Sequence, residues 1–342
     1  MTTAPQSTAR RPRIALAMGD PAGISPELTA KLLASSEARA AADLLVIGDK
    51  RVLDAGAKAA GVAPDVVLVD SPDHPVGDRP LFWDRGHLDP ATIAPGVASQ
   101  AGGAFALANY TVALDLARAG KVDAVCFTPF NKAAMKLADP GYGDDVVFTT
   151  GYLGTSEPAS EFNILGPLWN ARVTSHVPIS GVASRITHAS VLKGIRLTDA
   201  TLRASGVARP HIAVAALNPH AGDGGNFGRE EIDEIGPAVE AAKGQGIAVD
   251  GPFPSDTVFL RARSGAFDAV LTMYHDQGQI AMKLMGFERG VTYLAGYGFP
   301  ICTPAHGTAY EIAGKGVADP GATIQAVLIA ARLAAHQPGA SA

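Results

Sequence analysis

The strongest constraint on this chain is a repeated alternation: a short apolar run, a sharp break containing Gly or Pro, then a stretch of helical pattern. Arg13 to Met18 reads as a buried strand, and Gly19-Asp20-Pro21-Ala22-Gly23 ends it abruptly. A helix is predicted from about Pro26, with Ser25 as its N-cap and Pro26 at the first helical position. Leu44 to Ile47 reads as the next strand, Lys50 to Ala60 as helix and Val66 to Val69 as a strand. Gly103 to Ala119 reads as a strong helix and Val122 to Phe127 as a buried strand. Strands alternating with helices of this length imply βαβ units and a mostly parallel sheet, an α/β fold. At 342 residues, the chain has room for two domains or one large α/β unit.

Two stretches break the rhythm. Ser71 to Pro95 reads as a polar, Pro-rich excursion, and Asp139 to Ser160 as a turn-rich connection into a second unit. Beyond it, Ala171 to Thr174, Ile212 to Leu217 and Ala269 to Met273 read as strands that each end beside a histidine. Ala322 to Ala335 reads as a last, apolar helix. No internal repeat is visible.

Composition excludes several classes. With 47% hydrophobic and 18% charged residues, a sizeable core is available and wholesale disorder is excluded. The net charge of −5 and the lack of a long basic run argue against nucleic acid as the main partner. No apolar stretch approaches the ~18 residues of a transmembrane helix, and the first ten residues lack the apolar core of a signal peptide. Cys126 and Cys302 do not make a disulfide framework, so a cytoplasmic setting is expected, without a membrane partner.

The chemistry concentrates at His176, His220 and His275. The carboxyl ends of parallel strands are where α/β folds bind ligands. Three imidazoles delivered there could form a facial metal site with positions left open for substrate; read alone, each could equally be an ordinary strand-end histidine. Two features favour a functional role, the second by an acid suited to hold a metal, the ring tautomer or a substrate hydroxyl. Asn218-Pro219-His220-Ala221-Gly222-Asp223-Gly224-Gly225 is too polar and Gly-rich for a mere connection, and His275-Asp276-Gln277-Gly278 sets an acid beside the imidazole. His74, His87, His188, His211 and His336 lack this placement and read as surface residues. There is no P-loop and no GxGxxG fingerprint.

Several motifs together resemble the 4-hydroxythreonine-4-phosphate dehydrogenase (PdxA) family. They are Gly19-Asp20-Pro21-Ala22-Gly23-Ile24-Ser25-Pro26-Glu27, the Asn218 to Gly225 run, Gly251-Pro252-Phe253-Pro254-Ser255-Asp256-Thr257 and Tyr274-His275-Asp276-Gln277-Gly278. His306-Gly307-Thr308-Ala309 and Ile312-Ala313-Gly314-Lys315-Gly316 complete the set, in register from about residue 13 to 335. The resemblance implies a two-domain fold like isocitrate and isopropylmalate dehydrogenases, with a cleft between domains and a homodimer completing each site. The division it suggests is residues 1–135 plus 277–342 on the cofactor side, and 136–276 carrying the metal histidines and dimer contacts. It implies NAD or NADP near His306, Gly307, Thr308, Gly314 and Lys315. A divalent ion (Zn, Mg, Mn, Co or Ni) would sit on His176, His220 and His275, and Asp256, Asp276 and Lys283 are the candidates for proton transfer. The reaction implied is oxidation of a small β-hydroxy acid followed by loss of CO₂.

The departures from the family fall in the expected substrate pocket: Tyr142 and Gly143 where a Gly-His-Thr segment is usual, Thr292 for an Asn, and Ile301 for an Arg, with Lys283 kept. Losing a guanidinium from a buried phosphate would cost roughly 2–5 kcal/mol. The expectation is therefore a non-phosphorylated substrate, such as an aromatic cis-dihydrodiol carboxylate. The alternative is a genuine 4-hydroxythreonine-4-phosphate dehydrogenase in which another basic residue keeps the phosphate. A catalytically silent metal-binding relative is a more remote alternative.

Overall fold

The computed structural model describes residues 10–156 and 159–336. The strands are β1 (Arg13–Ala17), β2 (Asp43–Gly48), β3 (Val67–Val69), β4 (Leu81–Asp84), β5 (Ala124–Phe127) and β6 (Ser160–Leu165). They continue with β7 (Leu168–Arg172), β8 (Ile212–Ala215), β9 (Val249–Phe253), β10 (Ala269–Thr272), β11 (Val291–Ala295) and β12 (Ile301–Pro304). The helices begin with α1 (Ser25–Ala34), α2 (Ser36–Ala41), α3 (Lys50–Ala60), α4 (Gln100–Arg118), α5 (Lys132–Ala138) and α6 (Asp145–Leu153). The rest are α7 (His188–Ala204), α8 (Gly236–Gly244), α9 (Ser255–Arg263), α10 (His275–Gly286) and α11 (Gly321–Ala335). The α/β class expected from the sequence is the class observed.

The chain divides into two compact units. The first runs to Phe148 and adds Gly298–Thr303 and the chain from Gly307 onward; the second is Thr149–Tyr297 with Pro304–His306. These boundaries differ from those read in the sequence: residues 136–148 fall in the first unit, and α10 and β11 fall in the second.

In the first unit the sheet order is β3-β4-β2-β1-β5-β12, and every pairing is parallel. Ile14, Ala15, Leu16 and Ala17 are all fully buried. Such continuous apolar runs are the mark of parallel strands covered on both faces. Helix α4 lies close to α5 because Gly103 has no side chain: a Cβ there would stand 1.9 Å from the Ala134 carbonyl oxygen. Ser25 does not cap α1. Ile24 holds that position, and the Ser25 hydroxyl instead donates to the Pro129 carbonyl at 2.8 Å. The polar excursion contains strand β4, and the turn-rich connection contains helix α6.

In the second unit the order is β11-β6-β7-β10-β8-β9. Only β6 runs against its neighbours, antiparallel to both β11 and β7. The apolar core includes Phe259, Phe267, Val270 and Met282. Among the described residues no helix is long and apolar enough to cross a membrane.

Candidate active site

Strands β7, β10 and β8 are adjacent and parallel, so their carboxyl ends emerge side by side in the second unit. His176 follows β7, His275 follows β10 and His220 follows β8. Pairing continues past the first two strands: the Val173 N–H donates to the Thr272 carbonyl at 2.8 Å. The Thr174 hydroxyl donates to the Met273 carbonyl at 2.8 Å. This extension brings the rings of His176 and His275 to a centroid separation of 5.7 Å, inclined by 42°.

His275 opens α10, and its Nδ1 lies 2.6 Å from Asp276 Oδ1. An ionised carboxylate can only accept, so Nδ1 carries the proton in this bond, which turns Nε2 outward. Gln277 ties the surrounding strand ends together. Its side-chain oxygen accepts the Met273 N–H at 2.6 Å, and its Nε2 donates to the Ala216 carbonyl and to Ser255 Oγ, both at 2.8 Å. Asp256 is the next residue after that serine, exposed in the first turn of α9.

His220 sits in a strained loop. His220, Ala221 and Asp223 have φ of 54°, 54° and 46°, and Gly222 and Gly224 share the left-handed region. Each non-glycine residue there costs about 1–2 kcal/mol, so the surroundings must hold the loop. Buried Glu231 does much of this. It accepts the N–H groups of Leu217 and Asn218 at 2.8 and 2.7 Å, and the Asn218 side-chain amide at 2.9 Å. Among the described residues no three His, Cys, Asp or Glu side chains stand assembled as a metal-holding group. Two imidazoles are therefore paired, and the third belongs to the neighbouring strand end.

Behind this edge lies a polar layer that the sequence reading missed. Arg172, at the end of β7, pairs with Glu161 on β6 and donates from Nη1 to Asn163 Oδ1 at 3.0 Å. Gln279 of α10 donates to the same Asn163 oxygen at 2.8 Å, and Asn163 donates to Thr292 Oγ1 at 3.3 Å. Gly278 rests on Asn170, where a Cβ would meet Asn170 Oδ1 at 2.1 Å. Lys283 lies two turns beyond His275, exposed, at a pocket of about 260 Å³ that Asn163, Gln279, Met282 and Gly290 also line. The signal for this layer was the set of polar residues at alternate positions, Glu161 and Asn163 on β6 and Asn170 and Arg172 on β7.

The other expected pocket residues are placed differently. Ile301 is fully buried in β12, in register with Val125. Tyr142 is 2% exposed and packs with Ala106 and Met135, its hydroxyl bonded to the Asp145 carboxylate. Burial, then that carboxylate, pushes the Tyr142 phenol well above its ordinary range. Gly143 is exposed beside Val147. Neither Tyr142 nor Ile301 presents a side chain to an open pocket.

Of the expected cofactor residues, Gly307, Thr308, Gly314 and Lys315 lie in the first unit and His306 in the second. The Thr308 carbonyl accepts the Ile24 N–H at 3.0 Å, which docks the Gly19–Gly23 turn against this segment. Buried Glu27 accepts the N–H groups of Gly316 and Ala318 at 3.1 and 2.7 Å, and the Lys31 ammonium at 2.8 Å. Gly314 and Ala313, with Pro21, Gly23 and Gly56, border a pocket of about 420 Å³, while Lys315 is exposed.

Asp20 joins the two segments, accepting the Tyr310 hydroxyl at 2.5 Å and the Ala22 N–H at 2.8 Å. Desolvation raises its carboxyl above the ordinary value, outweighing those two bonds. The sign follows: its contribution to stability is fully present below the unfolded-state value of about 4 and is lost as pH rises through the folded-state value. The melting temperature of the native chain relative to Asp20→Asn is expected to improve as pH falls from 7 towards that range. A relative decline on acidification, read by differential scanning calorimetry, would contradict this.

Solved structures and sequence relatives define the class. A crystal structure of 4-hydroxythreonine-4-phosphate dehydrogenase from Klebsiella pneumoniae superposes with a TM-score of 0.81 at 33% identity, covering 94% of this chain and 99% of that one. A terephthalate 1,2-cis-dihydrodiol dehydrogenase from Burkholderia xenovorans superposes less well, with a TM-score of 0.63 at 30% identity over 94% and 98%. A Rhizobium meliloti protein named "Putative 4-hydroxythreonine-4-phosphate dehydrogenase 2" is 58% identical, over 97% of this chain and 96% of its own. A Bradyrhizobium diazoefficiens protein named "Putative D-threonate 4-phosphate dehydrogenase" is 39% identical over 96% and 98%. Fold and relatives together make this an α/β dehydrogenase acting on a CH–OH group. The chain belongs to the PdxA family, whose model, described as pyridoxal phosphate biosynthetic protein PdxA, matches residues 40–330.

Proposed function

We propose that the chain oxidises the secondary alcohol of a small phosphorylated hydroxy acid, of the 4-hydroxythreonine 4-phosphate or D-threonate 4-phosphate type, and that a β-keto product then loses CO₂. The observation that carries this is the pairing of His176 and His275 at 5.7 Å on adjacent strand ends, with His220 on the next strand, in a PdxA-family chain. The names of the relatives favour a phosphorylated substrate over the diol carboxylate expected from the sequence. The burial of Ile301 also weakens that expectation, because the loss of an arginine there was its main support.

A dehydrogenase of this family implies a nicotinamide cofactor and a divalent ion. The donor chemistry fits: His275 is oriented by Asp276 and partly exposed, and imidazole suits zinc, nickel or cobalt better than magnesium. His176 and His275, already paired, would hold the ion, and His220 would have to join them from the neighbouring strand end. When bound, it lowers the pKa of a coordinated hydroxyl and stabilises negative charge on oxygen. The chain's own residues do the rest. Asp276 keeps the proton on His275 Nδ1, and Gln277 fixes the strand ends that carry the rings. Lys283 offers an ammonium at its pocket, suited to anchor a substrate anion and to deliver a proton from Nζ. The apolar pocket beside Gly314 is suited to a flat cofactor ring. Ile280 and Leu284, 60% and 84% exposed and one turn apart on α10, support a homodimer that would cover them.

The test is formation of NADH or NADPH, with CO₂ release, by purified protein offered both phosphorylated acids and terephthalate cis-dihydrodiol. Turnover of a phosphorylated acid, abolished by chelator and restored by zinc or cobalt, is expected. Turnover of the diol carboxylate alone would overturn the substrate class.

A further inference from the structure

We propose that the first unit carries a separate site for a compact oxyanion, inorganic phosphate or a small phosphate monoester, at the amino ends of β1, β2 and β4. A small surface pocket opens there, and Arg11, Arg13, Arg39 and Arg79 line it together with Asp43 and Asp78. Four guanidinium groups stand against Asp43 and Asp78 in the lining and Asp65 beside Arg79, which leaves an excess of one positive charge for an anion to offset.

The donors are only partly used. Arg11 pairs with Asp43 at 2.7 Å, and Arg79 pairs with Asp65 at 3.1 Å. Arg13 turns Nη2 to two backbone carbonyls, of Pro72 at 2.7 Å and His74 at 3.4 Å, rather than to a carboxylate. Arg39 Nε is buried and has no hydrogen-bond partner. A cationic donor shut away from water without an acceptor is unfavourable unless something else completes it. Burial also holds the Arg13 guanidinium below its ordinary value, despite nearby Asp73 and Asp43. The planar fork of arginine matches phosphate oxygens two at a time.

The location sets this site apart from the proposed catalytic chemistry. Arg13, Asp43 and Leu81 are the first residues of their parallel strands. The Gly19–Gly23 turn leaves β1 at its other end, and the paired histidines lie in the second unit.

Isothermal titration of the full chain with inorganic phosphate, and in parallel with glycerol phosphate, tests the assignment. Saturable binding is expected that chloride at equal ionic strength does not reproduce. Arg39→Gln and the more exposed Arg79→Gln should each weaken it at least tenfold, while Arg203→Gln, a surface arginine of the second unit, retains it. Tighter binding of inorganic phosphate would name the free ion as ligand, and tighter binding of the ester would name a phosphorylated metabolite. Unchanged affinity in both Arg39→Gln and Arg79→Gln, or an equal loss in Arg203→Gln, would overturn the proposal.

Discussion

Arg172→Met is expected to lower folding stability by about 3–5 kcal/mol, the cost of leaving one partner of a buried ion pair without the other. The side chains of Arg172 and Glu161 are 3% and 14% exposed, so water cannot take over the lost contacts. Removing the guanidinium strands the Glu161 carboxylate and takes one donor from Asn163, which also receives Gln279 of α10. Methionine matches much of the arginine stem in length, so the loss would reflect charge and hydrogen bonding rather than a cavity. The double variant Arg172→Met with Glu161→Gln removes both charges and is expected to recover a good part of the deficit. Urea unfolding of the four proteins closes the cycle. A single-variant loss of about 1 kcal/mol or less, the scale of a solvated surface pair, would show that this layer is wet and dispensable.

That layer also marks the limit of what the sequence discloses. Parallel strands buried on both faces announce themselves: Ile14 to Ala17 can be nothing but core, and Lys50–Ala60 carries a matching N-cap in Asp49 and a left-handed Gly61 at its end. The strand-end placement of the three histidines was legible for the same reason, since each follows an unmistakable apolar strand. Strand β6 was not, because Glu161 and Asn163 interrupt its apolar pattern to meet Arg172 and Gln279, partners that lie far along the chain or across a turn. Helix α6 hid behind the glycines of the Gly141-Tyr142-Gly143 segment. Ser25 looked like a cap because its type and position suit one, yet a tertiary acceptor at Pro129 claimed its hydroxyl. Tyr142 and Ile301 were assigned to a pocket by motif register alone. Register says which residue replaces which, but not whether the replacement faces a ligand or the core.

His275→Ala is expected to lower kcat/KM by roughly a thousandfold or more, the scale of the several kcal/mol that a bound divalent ion lends to charge developing on oxygen. The side chain is 38% exposed, so its removal should leave the fold intact and the loss should be chemical. The neighbouring carboxylate gives a graded companion. Asp276→Asn keeps the imidazole but exchanges an acceptor-only carboxylate for an amide, and should weaken metal binding by about 10–100-fold. His211 supplies the control. It also lies beside a strand boundary, but its Nε2 is 2.9 Å from Asp250 and it immediately precedes β8, at the opposite end of the strand from His220. His211→Ala should therefore retain both metal and turnover. Metal content per chain, measured after dialysis and set beside reduced-cofactor formation, separates the cases: His275→Ala is expected to lose both, Asp276→Asn to lose metal first at low free concentration, and His211→Ala neither. If His275→Ala kept its full complement of metal and turned over within threefold of the native rate, the pairing of His176 with His275 would be a packing contact and the proton and charge chemistry would have to be sought elsewhere in the second unit.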